Sequence, residues 1–116
     1  MSRRVRLLVV ALGLWVAYQM VQWPSLRAIY SAEDKWAHGL AFFAVWWALR
    51  WATVWRPWSL VVVSAVLGGA IEIHQMFLPG FSPSWADWAA DLAGIAVAWT
   101  LYGLWRRSAQ PKPIEP

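Results

Sequence analysis

Three short stretches of this 116-residue chain carry side chains able to do chemistry. The first reads Asp34-Lys35-Trp36-Ala37-His38. The second places Glu72, His74 and Gln75 within four positions, and the third spaces Asp87 and Asp91 four apart. Carboxylates and an imidazole can move protons as general acids and bases. The same groups can hold a hard metal ion, with Glu72, Asp91 and His38 as the donors to consider. An amine such as Lys35 neutralises a neighbouring acid. The candidate polar site is therefore Asp34, Lys35, His38, Glu72, Gln75, Asp87 and Asp91.

Helical spacing sorts these residues onto faces. Asp34 and His38 share a face, and Lys35 adjoins it. Glu72 and Gln75 share another, while His74 sits about 200° from Glu72 at 100° per residue and points elsewhere. A structural role suits His74 better than a place in the site. Asp87, Asp91 and Gly94 form one stripe at i, i+4 and i+7. Ser64, Gly68 and Glu72 make a line of small residues ending in an acid, and Ala90, Gly94 and Ala98 make a second small line. Small residues let helices approach closely in lipid, so the third and fourth helices are expected to be neighbours with Glu72 and Asp91 facing inward. Each residue also has a plainer role. Glu72 and Gln75 serve equally as interhelical hydrogen-bond partners. Asp87 fits a helix N-cap after Ser82-Pro83-Ser84. Asp91 lies too far inside for capping. Arg27 and Glu33 read as solvated loop charges.

The elements that must position these groups are apolar. Hydrophobic residues make up 60% of the chain and charged residues 14%. An ordinary soluble domain has roughly 45–50% and about 25%. So small a water-soluble chain could not bury that much apolar surface. A soluble enzyme, a disordered tail and a nucleic-acid module are excluded on that ground. A bilayer core takes about 20 apolar residues per helix. Four segments qualify, at about 7–23, 36–55, 58–78 and 85–105, each stopped by Pro24, Pro57, Pro79-Gly80 or Arg106-Arg107. The expected fold is an all-α integral membrane protein, a bundle of four transmembrane helices.

The net charge of +4 is a topology signal rather than a nucleic-acid footprint. Arg3, Arg4, Arg6, Arg50, Arg56, Arg106, Arg107 and Lys112 fall on one side, leaving Arg27 and Lys35 on the other. The positive-inside rule makes the first side cytoplasmic and puts both termini there. Of the 12 tryptophans, Trp23, Trp36, Trp85 and Trp88 would line the outer interface, and Trp51, Trp55, Trp58 and Trp105 the inner one. Trp15, Trp46, Trp47 and Trp99 lie nearer mid-membrane. At 1.5 Å per residue, Glu72 and Asp91 each sit roughly 9 Å inside the outer end of their helix. Residues 1–6 read as a basic cytoplasmic start, 7–105 as the membrane domain and 106–116 as a basic, proline-rich disordered tail. No clean cleavage site follows the first span, so it reads as retained. With no cysteine, disulfides and thiolate metal sites are absent.

The order of the polar stretches resembles the VanZ-like family, bacterial membrane proteins associated with teicoplanin resistance. Asp34-Lys35-x-x-His38 with Phe42 and Phe43 is similar to its first motif. Glu72-x-His74-Gln75-Met76-Phe77-x-Pro79-Gly80 is similar to its second, and Asp87-x-x-x-Asp91-x-x-Gly94 to its third. Two positions depart from the family pattern. Phe81 stands where arginine is frequent, and Asp91 where asparagine is usual. Both changes make the site more negative, which favours a cation or a shared proton over an anionic ligand. The resemblance implies a helical domain in the bacterial cytoplasmic (inner) membrane and a link to glycopeptide or lipopeptide resistance.

Four functions fit the residues. The first is an outward-facing polar site in the cell envelope that binds a lipid or lipid-linked headgroup, with a lipid-linked cell-wall precursor or a lipophilic antibiotic as partner. The second is a membrane-embedded acid–base or metal-assisted hydrolase or transferase, for which no convincing nucleophile is present. The third is a proton- or cation-coupled transporter, which intramembrane acids favour and four short unrepeated helices disfavour. The fourth is a purely structural protein. No motif calls for a cofactor, although a bound cation suits the acids, and a homo-oligomer stays open.

Overall fold

The computed structural model describes residues 1–20, 35–78, 84–110 and 114. Among these the chain forms four helices and no strand: α1 (Arg3–Met20), α2 (Lys35–Ala52), α3 (Pro57–Gln75) and α4 (Trp85–Ala109). Arg27, Glu33, Asp34, Phe81 and Ser82 lie outside the described residues.

The helix ends follow local chemistry. Pro57 opens α3 at its first turn, where its missing N–H is not needed. Arg56 before it is extended (φ −62°, ψ 144°), as a residue preceding proline must be. The second helix stops at Ala52 rather than Trp55. There the Thr53 hydroxyl donates to the Leu49 carbonyl at 2.9 Å, and Arg50 donates to the Thr53 carbonyl at 2.8 Å. Ser84 caps α4, its hydroxyl accepting from the Ala86 N–H at 3.2 Å. Asp87 is therefore not the cap. The fourth helix runs past Arg106 and Arg107 to Ala109. Arginine is a good helix former, so those residues end the apolar run without ending the helix.

The most extensive helix contact is between α2 and α4, with α3 also on α4 and α1 on α2. The expected pairing of α3 with α4 is present. The closest approach, however, is between α2 and α4, where Gly94 meets the backbone of Gly39. The core is Phe42, Val45, Trp46, Leu60, Ile95, Ala98 and Tyr102. Trp46 and Tyr102 pack with ring centroids 5.4 Å apart. At the other end from Lys35, Arg6 donates to the Trp51 carbonyl at 3.2 Å, and Arg50 lies 5.5 Å from the Tyr102 ring centroid. The basic ends of α1, α2 and α4 thus gather together.

Large apolar side chains on all four helices point outward, among them Leu12, Leu40, Val66 and Leu104. By length and composition, α3 is long and apolar enough to cross a membrane. The other helices mix charged residues or tryptophan into their apolar runs.

Candidate functional site

The polar residues collect where the N-terminal ends of α2 and α4 meet the C-terminal end of α3. His38, one turn into α2, is 2% exposed. Its Nδ1 lies 3.2 Å from Asp91 Oδ1, and its Nε2 lies 3.8 Å from Asp87 Oδ2. One imidazole therefore sits between two carboxylates. Asp91 is itself 2% exposed. Its spacing of four from Asp87 puts both acids on the α4 face that meets α2. Lys35, at the start of α2, forms an ion pair with Asp87.

Glu72 enters from α3 and is 4% exposed. Its Oε2 accepts from the Ser84 backbone N–H at 3.0 Å. That N–H belongs to the cap of α4, so an otherwise unpaired donor at the helix start meets an acid. One donor atom from each of His38, Glu72 and Asp91 lies within 4.8 Å of the others. Ligands about 2.1 Å from a common ion stand at most about 4.2 Å apart, so this trio is close to metal-binding geometry.

Gly68 makes the convergence possible. A Cβ there would lie 3.2 Å from Asp91 Oδ2 and 3.3 Å from both Phe42 Cε1 and Trp88 Cδ1. Two cavities adjoin. One, of about 230 Å³, is lined by Glu72, Ile73, Met76, Ser84 and Trp85. The other, of about 440 Å³, is an apolar groove between α1, α2 and α3 whose walls include Leu14, Ala41, Phe42 and Ile71.

Of the residues expected at the site, Lys35, His38, Glu72, Asp87 and Asp91 come together. Gln75 is buried on the same helix as Glu72, but its side chain makes no hydrogen bond among the described residues. His74 stands apart and pairs through Nδ1 with the Tyr18 hydroxyl, joining α3 to α1. Trp88, read as an interfacial belt residue, instead packs against Gly68 and donates its indole N–H to the Ala65 carbonyl at 3.0 Å. Trp88 is half-buried, and an indole drawn partly out of water gains from such a partner. Gly39, Ser84 and Tyr18 also matter here. Only Ser84 carried a signal, as a capping residue before a helical run.

An all-helical protein with a buried acid–histidine cluster, set where three helices converge, is the class these features define. The chain belongs to the VanZ/LLP1 family, whose model matches residues 5–106. No curated protein and no solved structure matches it.

Proposed function

We propose that this chain is a multi-pass protein of the bacterial cytoplasmic membrane that holds the headgroup of a lipid or lipid-linked molecule in an outer-leaflet site. The observation that carries the reading is the inverted arrangement of the bundle. His38, Glu72 and Asp91 are buried, while Leu12, Leu40, Val66 and Leu104 are exposed. Such an exterior is stable in lipid and a liability in water. Polar groups inside a membrane domain mark function by default. The gathering of Arg6, Arg50, Arg106 and Arg107 away from the cluster supports an orientation with the cluster outside and the termini inside. At 1.5 Å per residue, the 25 residues of α4 extend about 37 Å, enough to cross a hydrocarbon core of about 30 Å. The apolar groove beside Phe42 suits an acyl or prenyl chain whose headgroup reaches the cluster.

The test is binding of a panel of phospholipids and polyprenyl phosphates to the purified chain, read by native mass spectrometry. Specific retention of one headgroup class, lost in Glu72→Gln and His38→Gln, supports the reading. Equal retention by wild type and variants refutes it. Sequestration of such a lipid, or of a lipophilic antibiotic, would account for a resistance phenotype. Deleting the gene in its host would then lower the inhibitory concentration of a lipoglycopeptide.

The His38–Asp91 pair favours a second reading, acid–base chemistry on the same ligand, since a carboxylate that orients an imidazole is a familiar general-base arrangement. Release of phosphate or alcohol from the bound lipid is the readout. Its absence in wild type that binds the lipid removes this reading.

A further inference from the structure

We infer that His38, Glu72 and Asp91 form a binding site for one divalent cation, with a ligand from each of α2, α3 and α4. Three observations lead there. The donors converge from separate helices, lie within 4.8 Å of one another and are all at least nine-tenths buried. Side-chain rotation that closes the widest separation, 4.8 Å, by roughly 0.6–1.4 Å brings such a set to the spacing of ligands around one ion.

The second observation is charge. Among the described residues three carboxylates, Glu72, Asp87 and Asp91, face one lysine, and Lys35 pairs with Asp87. Among the described residues, His38 is then the remaining group that can carry positive charge beside Glu72 and Asp91. A protonated imidazole would leave one negative charge uncompensated in a buried place, which is costly. A divalent ion with a neutral imidazole brings the cluster to zero. A monovalent ion with a neutral imidazole would not.

The third is an open lone pair. Glu72 Oε2 accepts from Ser84, while Oε1 accepts no hydrogen bond among the described residues. A carboxylate oxygen without a protein donor is open to a cation.

The donor set also selects among ions. Calcium takes six to eight oxygens, more than this cluster provides. One imidazole and two carboxylates suit zinc or manganese. Three protein ligands leave at least one coordination position for an outside oxygen, and the cavity of about 230 Å³ that Glu72 and Ser84 line adjoins the cluster. A phosphate oxygen on a headgroup fits that position. The ion thereby lets a net-acidic lining hold an anion. The cation site stands on its own geometry, while its use as a phosphate receptor rests on the headgroup reading above.

The test uses the full chain in detergent, stripped with EDTA and dialysed against zinc or manganese alone. Metal analysis should find one ion per chain. Glu72→Gln and Asp91→Asn should each weaken binding at least tenfold, with helicity by circular dichroism confirming that they fold. Thr100→Ala, on the exposed face of α4 and nine residues from Asp91, should leave affinity within threefold. If Asp91→Asn does not fold, His38→Gln replaces it. Wild type that binds no ion overturns the site, as does a Glu72→Gln, Asp91→Asn double variant that keeps full affinity. Phosphatidylglycerol vesicles then separate the two readings. Vesicle binding that EDTA lowers at least tenfold supports the bridging role. Metal-loaded protein whose vesicle binding ignores EDTA keeps the cation site and overturns the bridge.

Discussion

Adding one methyl group at Gly94 should separate α2 from α4, whereas the same change at Gly39 should not. A Cβ on Gly94 would stand 2.6 Å from the Gly39 carbonyl carbon and 2.8 Å from its Cα, where ordinary contact begins at 3.4 Å. Both obstacles are backbone, so no rotamer change relieves them. The helices must part by at least 3.4 − 2.6, about 0.8 Å, and by more to clear the Gly39 carbonyl oxygen, which lies nearer still. Overpacking of this kind costs about 1–3 kcal/mol. The same movement stretches the 3.2 Å His38–Asp91 contact toward 4.0 Å, beyond hydrogen-bond reach. Losing that buried partner costs about 1–3 kcal/mol more. Alanine returns about 0.5–1 kcal/mol of helix propensity. Gly94→Ala is thus expected to destabilise the bundle by about 3 kcal/mol. A Cβ on Gly39 meets the Ala90 carbonyl at 3.3 Å, only a tenth of an ångström inside ordinary contact. Propensity then dominates, and Gly39→Ala should be neutral or stabilising by up to about 1 kcal/mol. Unfolding in mixed micelles of increasing SDS content, followed by helical circular dichroism, measures both. Two variants within about 0.5 kcal/mol of each other would refute the close approach.

Ser64→Ala should hold or raise stability, because the buried Ser64 hydroxyl has no hydrogen-bond partner among the described residues; a clear loss in the same unfolding assay would show an engaged hydroxyl. Tyr18→Phe removes the contact with His74 and should cost about 0.5–1.5 kcal/mol, with increased protease access to α1 as a second readout. In EDTA, Glu72→Gln and Asp91→Asn should melt at or above the wild-type temperature, since each removes a buried charge while keeping shape; melting far below would make the acids structural glue. Gly68→Ala pushes on side chains rather than backbone, so it should destabilise less than Gly94→Ala yet displace Asp91, read as weaker zinc binding at near-normal helicity.

The polar cluster was legible because polar side chains are conspicuous inside apolar runs. A carboxylate such as Glu72 or Asp91 inside an apolar run has few reasons to be there, and helical spacing assigns it a face. The four helices were legible for a related reason, since proline and capping signals punctuate apolar runs. Which helices touch was less legible. The stripe Ala90-Gly94-Ala98 identifies a surface that invites close approach, but says nothing of whose surface comes. Its partner Gly39 stands alone in α2 with no stripe to announce it. The same holds for Trp88, whose indole suits an interface and a buried carbonyl equally. Tyr18 and His74 meet across α1 and α3, a pairing that no local spacing encodes. The end of α4 was misplaced because hydropathy records where apolar residues stop, whereas helix propensity continues through Arg106 and Arg107.

The close helix contacts and the chemical site have a common cause. His38 precedes Gly39 directly, and Asp91 lies one turn before Gly94, so the approach that Gly39 and Gly94 permit is the one that brings imidazole to carboxylate. Gly68 then clears the space that Asp91 Oδ2 occupies beside α3, and Glu72 follows one turn further on. Any larger residue at Gly94 would hold the donors apart whatever their identity. Conversely, acids brought together this closely repel one another, and helix packing must oppose that repulsion unless a positive charge intervenes. Lys35 supplies one such charge at Asp87, at the cluster's more exposed edge. At its buried centre, among the described residues, Glu72 and Asp91 have His38. The bundle is thus packed to hold Glu72 and Asp91 near each other at an electrostatic cost. Polar glue alone would need no such crowding, since a glutamine or an asparagine bonds across helices without the charge.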